Sequence, residues 1–164
     1  MAQTLSALSP LDGRYQKKLS ELAEWCSESG LIQHRVAVEI AWFKALARCP
    51  EFEALPPLTP DDDRFLEALV STFSLDDAAA IKAIEGTTNH DVKAVEYWLK
   101  AKLGERASLA PFAELVHFAC TSEDINNVAW ALILQKSLTQ VLDPLLAQLD
   151  HQLETMATDW ADTA

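Results

Sequence analysis

From Ile125 to Trp160 apolar residues return at spacings of three and four: Ile125, Val128, Leu132, then Leu142, Leu146, Leu149, Leu153, Met156 and Trp160, with Gln135 and Thr139 at the two intervening positions. Such spacing lays one continuous stripe along a helix, and a heptad-like stripe of this length admits few folds. At 1.5 Å rise per residue the helix would extend roughly 50 Å. Ala131, Leu134, Leu138, Val141 and Leu145 make a second stripe on another face. A long helix with two apolar faces needs neighbours on both, which predicts a bundle shared between subunits rather than a lone two-stranded coiled coil. Asp143-Pro144 falls inside the run and is expected to kink it without ending the pattern.

The remaining residues also read as helix. Only 4 of 164 residues are Gly, and Ala, Leu and Glu abound. No strand pattern, internal repeat or low-complexity segment stands out, so the expected class is all-α. Residues 1–20 look irregular, with turn formers throughout Ser9-Pro10-Leu11-Asp12-Gly13-Arg14-Tyr15. A helix is expected over 31–47, starting after Gly30; its apolar residues cover more than one face, as in a buried helix. Pro50, Pro56 and Pro57 form a stiff connector. Thr59-Pro60-Asp61-Asp62 then supplies an N-cap, a proline at the first helical position and acids in the first turn. Ser74 caps the next helix, expected to end near Gly86. A helix over 91–103 stopped by Gly104 follows, then a short one at Pro111 with Phe112, Leu115, Val116 and Ala119 on one face. The expected division is an N-terminal helical domain over 1–110 and the start of a central long-helix bundle over 111–164.

Charge narrows the function. Thirteen Lys and Arg stand against 25 Asp and Glu, a net of −12. That balance argues against nucleic acid, whose phosphates bind clustered Lys and Arg, and against an anionic membrane surface. No apolar run approaches the ~20 residues needed to span a bilayer. Cys26, Cys49 and Cys120 are odd in number and form no CxxC pair, which predicts buried thiols rather than a disulfide framework or zinc knuckle. Residues 1–10 lack a basic region followed by a long apolar core, so a cytoplasmic location is expected.

Two polar runs interrupt the apolar pattern: Thr87-Thr88-Asn89-His90-Asp91 and Thr121-Ser122-Glu123-Asp124-Ile125-Asn126-Asn127. Thr88 with Asp91, and Thr121 with Asp124, have the spacing of a capping box, so each run is expected to open a helix. A helix start with surplus donors suits an anion, which points to a small anionic ligand. His90 is either a ring facing that ligand or an exposed imidazole in a capping turn, and spacing alone leaves both open. Thr121-Ser122 is similar: one hydroxyl suffices for the cap and the second is spare. Arg14-Tyr15 offers a guanidinium fork and a stacking ring, suited to a phosphate or a base. Glu114-x-x-His117 has the spacing of a di-iron ligand pair, but none of His34, His90 and His151 has a Glu three residues earlier. No metal site is expected, and His117 is read as a hydrogen-bonded helix histidine.

Taken together, Ser9–Tyr15, the segment Thr87-Thr88-Asn89-His90-Asp91-Val92-Lys93-Ala94-Val95-Glu96-Tyr97, and His117-Phe118-Ala119-Cys120 running into the second polar run closely resemble the bacterial adenylosuccinate lyases of the fumarase/aspartase superfamily. The resemblance runs the length of the chain in matching order. It implies an all-α enzyme with a long-helix bundle, assembled as a homotetramer whose active sites draw on three subunits. The implied reaction is β-elimination of fumarate from adenylosuccinate, giving AMP, and from the succinyl-carboxamide ribotide, with no cofactor or metal. By motif, Arg14 and Tyr15 would contact the phosphate region. Asn89, His90 and Asp91 would line the pocket, Thr121 and Ser122 would hold a succinyl carboxylate, and Lys93 would offset the acidic field. The family's Thr-x-His and Ser-Ser-x-Met-Pro-x-Lys motifs, which carry the proton-transferring His and Ser, do not occur in the 164 residues. The chain is therefore expected to be an N-terminal fragment, inactive alone. Other lyases of the superfamily, acting on argininosuccinate, fumarate or aspartate, and a non-enzymatic oligomerisation module are the alternatives.

Overall fold

The computed structural model describes residues 6–163. Among them the chain forms seven α-helices and no strand: α1 (Ser20–Cys26), α2 (Glu28–Arg48), α3 (Pro60–Ser71), α4 (Leu75–Thr88), α5 (Asp91–Gly104), α6 (Ser122–Lys136) and α7 (Asp143–Asp159). Short 3-10 turns cover Gln16–Lys18 and Ala110–Leu115, and a π-helical turn, Ser137–Leu142, joins α6 to α7. The class is all-α, as expected. No helix among the described residues is long and apolar enough to cross a membrane. The chain divides into two compact units, Glu28–Leu132 and a second built from Met1–Ser27 with Ile133–Ala164.

In the unit Glu28–Leu132 the core is gathered around α2. Ile32, Val36, Ile40 and Phe43 pack with Ile81 of α4 and with Val95, Leu99 and Leu103 of α5, and Leu109 and Val116 join the same cluster. Side chains of this size each contribute roughly 1.5–3 kcal/mol on full burial, so this cluster dominates the unit's stability. Helix α2 begins earlier than Gly30 suggests. Gly30 is buried inside it, and its carbonyl meets His34 Nδ1 at 2.7 Å. Likewise α4 passes straight through Gly86 and ends at Asn89, because no described Gly takes a positive φ whereas Asn89 does, at 52°. The short helix at Pro111 is a 3-10 turn that ends at Val116 in an extended ψ of 135°, so Ala119 does not share its face.

Helix α3 opens as its sequence demands, with Thr59 Oγ1 accepting from Asp62 N at 3.1 Å and Pro60 in the first turn. Asp62 is buried and accepts three further bonds, from Ser108 Oγ, Thr59 Oγ1 and Arg106 Nε, each at 2.6 Å. The cluster ties the start of α3 to the segment after α5.

In the second unit the Ser9 hydroxyl accepts from Leu11 N and Asp12 N at 3.2 and 3.4 Å, and Tyr15 N reaches Pro10 O at 3.0 Å. Helix α1 packs on the π turn: Cys26 Sγ lies 3.2 Å from Ser137 Oγ, and Lys136 Nζ sits 4.5 Å from the Trp25 ring centroid. The thiols are not buried as expected. Cys26 and Cys49 are exposed and Cys120 is half-buried, since Cys26 and Cys49 fall at helix ends rather than on core faces.

The long apolar run is helical, but its inward row differs from the heptad reading. Ile125, Ala129, Ile133, Ser137 and Val141 are buried, every fourth residue. The expected stripe at Val128, Leu142, Leu146, Leu149, Leu153, Met156 and Trp160 is exposed, as are Leu134, Leu138 and Leu145 of the other. Rows of i, i+4 residues form a ridge of their own, and here that ridge faces inward. Pro144 lacks an N–H, and its ring would crowd the carbonyl four residues back; the wider π turn just before it absorbs the misfit while the helix continues to Asp159.

The Ser108 and Thr59 hydroxyls and the Arg106 guanidinium hold the Asp62 carboxyl down at about 2. Its folded-state value lies below the ordinary one, so as pH falls the unfolded chain takes up the proton first. The cluster's contribution is thus intact above about pH 4 and is lost towards pH 2, amounting to roughly 2 kcal/mol. Urea unfolding at stepped pH should show this loss in the parent and not in Asp62→Asn, which should be less stable at pH 6.

Candidate functional site

Helix α2 carries Arg35, Val38, Glu39 and Trp42 at i, i+3, i+4 and i+7, hence on one face. Both charged residues are buried, Arg35 to 5% exposure and Glu39 to 0%. Arg35 Nη2 donates to Asp91 Oδ2 at 2.6 Å and Nε donates to Asn126 Oδ1 at 2.9 Å. One guanidinium therefore ties the first polar run to the second. Beneath it Val38, Val92, Ile125 and Ala129 form a small core with Leu31, Cys120 and Leu132 packed against it. Val92 follows Asp91 and Ile125 follows Asp124, so burying these two side chains brings the starts of α5 and α6 onto the same patch.

The first run departs from its expected capping box. Because α4 extends to Thr88, the Thr87 and Thr88 hydroxyls donate back to Ile84 O, at 2.8 and 3.2 Å. Asn89 closes α4 in the left-handed region, which Asn tolerates better than most residues, and its N–H reaches Glu85 O at 2.8 Å. His90, rather than Thr88, caps α5: its Nδ1 accepts from Lys93 N at 3.2 Å. An accepting Nδ1 places the ring proton on Nε2, on a half-exposed imidazole. Asp91 Oδ1 accepts from Val92 N at 2.8 Å. Burial works to raise the Asp91 carboxyl, but the Val92 N–H and the Arg35 guanidinium outweigh it and hold the group below its ordinary value. Lys93 Nζ is engaged with Glu96 at 2.7 Å, and Lys100 meets the same carboxylate at 2.9 Å.

The second run forms the box its spacing predicts. Thr121 N and Oγ1 donate to Asp124 Oδ2 at 2.7 and 2.9 Å, and Asp124 N approaches Thr121 Oγ1 at 3.4 Å. The Thr121 N–H is the main cause of a lowered Asp124 carboxyl. The Ser122 hydroxyl makes no hydrogen bond among the described residues and stands in the first turn of α6. His117 is hydrogen-bonded as expected but is not helical. It has φ 65° and its Nδ1 lies 2.5 Å from Glu39 Oε1, while Glu114 pairs with Lys100 at 2.7 Å. No group of three metal-binding side chains occurs among the described residues.

Arg14 and Tyr15 belong to the other unit, where the Arg14 guanidinium lies 4.5 Å from the Tyr15 ring centroid and both are exposed. Asn89, His90, Asp91, Lys93, Thr121 and Ser122 share the unit Glu28–Leu132, where Arg35 links the two runs. What this half presents is a set of donors suited to carboxylate or phosphate: a Ser122 hydroxyl, an imidazole Nε2–H and two helix starts. Sequence reasoning missed Arg35 and Glu39. The signal was present, since a helix read as buried cannot leave two charges on it without partners.

A family described as lyase matches residues 13–164. An adenylosuccinate lyase of Haemophilus influenzae is 46% identical over 157 residues, covering 96% of this chain and 34% of that protein. The adenylosuccinate lyase of Escherichia coli strain K12 is 46% identical over 159 residues, 97% of this chain and 35% of that protein. That of Legionella pneumophila strain Corby is 42% identical over 160 residues, 98% of this chain and 35% of that protein. The chain thus spans about a third of the length of the curated relatives it matches.

Replacing Arg35 by Ala strands the Asn126 amide oxygen and removes the partner of Asp91. Chemical unfolding should register a loss of about 2–3 kcal/mol. Arg35→Lys should recover only part, since an ammonium cannot offer the two fixed donors that reach both acceptors. Wild-type stability in Arg35→Ala would refute the bridge.

Proposed function

The chain belongs to the lyase family, and from that membership we propose that it is part of an adenylosuccinate lyase. The carrying observation is identity to enzymes of that name through nearly the whole chain. The reaction is a β-elimination that releases fumarate from adenylosuccinate, leaving AMP, and from the succinyl-carboxamide ribotide, without cofactor or metal. A base removes the Cβ proton and an acid protonates the departing nitrogen. The substrate brings a phosphate and two carboxylates, which suits donors at two helix starts. On this reading Thr121 and Ser122 take a succinyl carboxylate, Asn89, His90 and Asp91 line the pocket with His90 near the reacting succinyl group, and Arg14 and Tyr15 stand at the phosphate. His90 contributes through Nε2–H, because Nδ1 is occupied by the α5 cap. Lys93 acts as a local counter-charge shared with Glu96. The helical domain runs to residue 110 and the bundle begins at 111.

The exposed apolar rows of α6 and α7 support assembly with further copies, a homotetramer in the whole enzyme. On this reading the enzyme works in the cytoplasm. The exposed apolar rows also favour a second reading, a non-enzymatic oligomerisation module in which both polar runs only cap helices. His90→Ala in the intact protein separates the two. The enzyme reading expects normal assembly and turnover of adenylosuccinate reduced by about a hundredfold or more, whereas unchanged turnover would mean that this polar run only caps a helix. The 164 residues alone should release no fumarate, read by absorbance; any turnover would overturn the assignment of the proton-transferring groups to the two absent motifs. Sedimentation of the same chain should show self-association, and a lone monomer at working concentration would count against shared apolar rows.

A further inference from the structure

Glu39 is held in an unusual way. It is wholly buried, and its Oε2 has no hydrogen-bond partner among the described residues. Its Oε1 lies 2.5 Å from Nδ1 of His117, a hydrogen bond in which an ionised Glu39 accepts. Leaving a buried carboxylate oxygen unsatisfied is a penalty that a simple turn anchor would not warrant. The turn is itself strained. His117 and Ala119 have φ 65° and 59°, a region that residues with a Cβ enter only at an energetic cost.

Besides the turn's own backbone bonds, three side-chain contacts hold it, and two come from one face of α2. Glu39 takes His117, and Trp42 Nε1 donates to Phe118 O at 2.8 Å. The third is the Phe118 ring, 4.9 Å from that of Phe52. The turn leads directly into Thr121, whose N–H and hydroxyl open α6. Burial pushes the Glu39 carboxyl up, opposed by the His117 hydrogen bond and charge. Glu96 adds to the upward push, and Lys93 and Lys100 in turn neutralise Glu96. The Thr121 N–H and hydroxyl, and to a smaller degree the charge of His117, lower the Asp124 carboxyl of the α6 cap.

We propose that Glu39 is a positioning residue for the anion-holding start of α6: by fixing His117 in the left-handed turn, it sets where the first turn of α6 and its spare Ser122 hydroxyl stand and so governs the grip on a carboxylate it never touches. This rests on the reading that the start of α6 holds a carboxylate of the substrate. The mechanism is geometric. A displacement of the first turn of α6 alters the carboxylate end of the ligand and leaves the nucleotide end alone.

The test uses the intact protein, with fumarate and AMP as separate product inhibitors. In Glu39→Ala the fumarate inhibition constant and KM for adenylosuccinate should rise about tenfold while the AMP constant changes less than about twofold. Glu39→Gln, which keeps an acceptor for Nδ1–H, should recover most of the loss. Glu39→Asp keeps the charge but falls short by one methylene, and should show the same selective loss if Glu39→Ala does not fold. Equal losses for fumarate and AMP, or no loss for either, would overturn the proposal. Ser122→Ala is the control. If it leaves fumarate affinity unchanged, the carboxylate reading itself fails; if it weakens fumarate while the Glu39 variants do not, only the positioning role fails.

Discussion

A guanidinium inside an apolar helix must find acceptors, and the two that Arg35 finds organise the candidate site. Asp91 and Asn126 lie far apart in sequence, one at the start of α5 and the other in the first turns of α6, yet both bond the same side chain. The hydrophobic patch of Val38, Val92, Ile125 and Ala129 supplies the attraction between these segments but little direction. The fork of Arg35 supplies the direction, because its donors are fixed in one plane. Asp62 does comparable work away from the site, gathering Thr59, Arg106 and Ser108 around one buried carboxylate.

The electrostatics follow from this economy of charge. With a net of −12, an anionic ligand meets an unfavourable overall field. Several cations in the unit Glu28–Leu132 are already engaged: Lys93 and Lys100 with Glu96, Lys44 with Asp63 and Glu67, Arg35 with Asp91. What remains near the polar runs is a collection of neutral donors and helix starts, which attract an anion over short range. In such a site position matters more than total charge, and the face of α2 that carries Arg35, Glu39 and Trp42 sets position.

Local rules were legible and proved accurate where the partners are three residues apart. The caps at Thr59, Ser74 and Thr121 are examples, since a hydroxyl and the N–H it accepts are brought together by the helix itself. Thr88 looked the same and failed. Its neighbours upstream could stay helical past Gly86, so α4 consumed the residue that would have capped α5, and His90 took over. Two helices competing for one connector is not visible in either helix alone. The apolar run was likewise legible as helix and misread as to face, because each of its rows is apolar and packing selects among them.

Periodicity and capping signals therefore carried the all-α class and most helix starts, since these depend on neighbours a few residues away. Folding settled which polar groups meet: that Arg35 joins Asp91 to Asn126, that His90 spends Nδ1 on a cap, and that a buried Glu39 holds His117 in a left-handed turn. Those pairings span 56, 91 and 78 residues for the two Arg35 bonds and the Glu39 bond. They arise because a charge removed from water takes whatever partner the packed helices bring within reach, and a linear pattern does not encode that meeting.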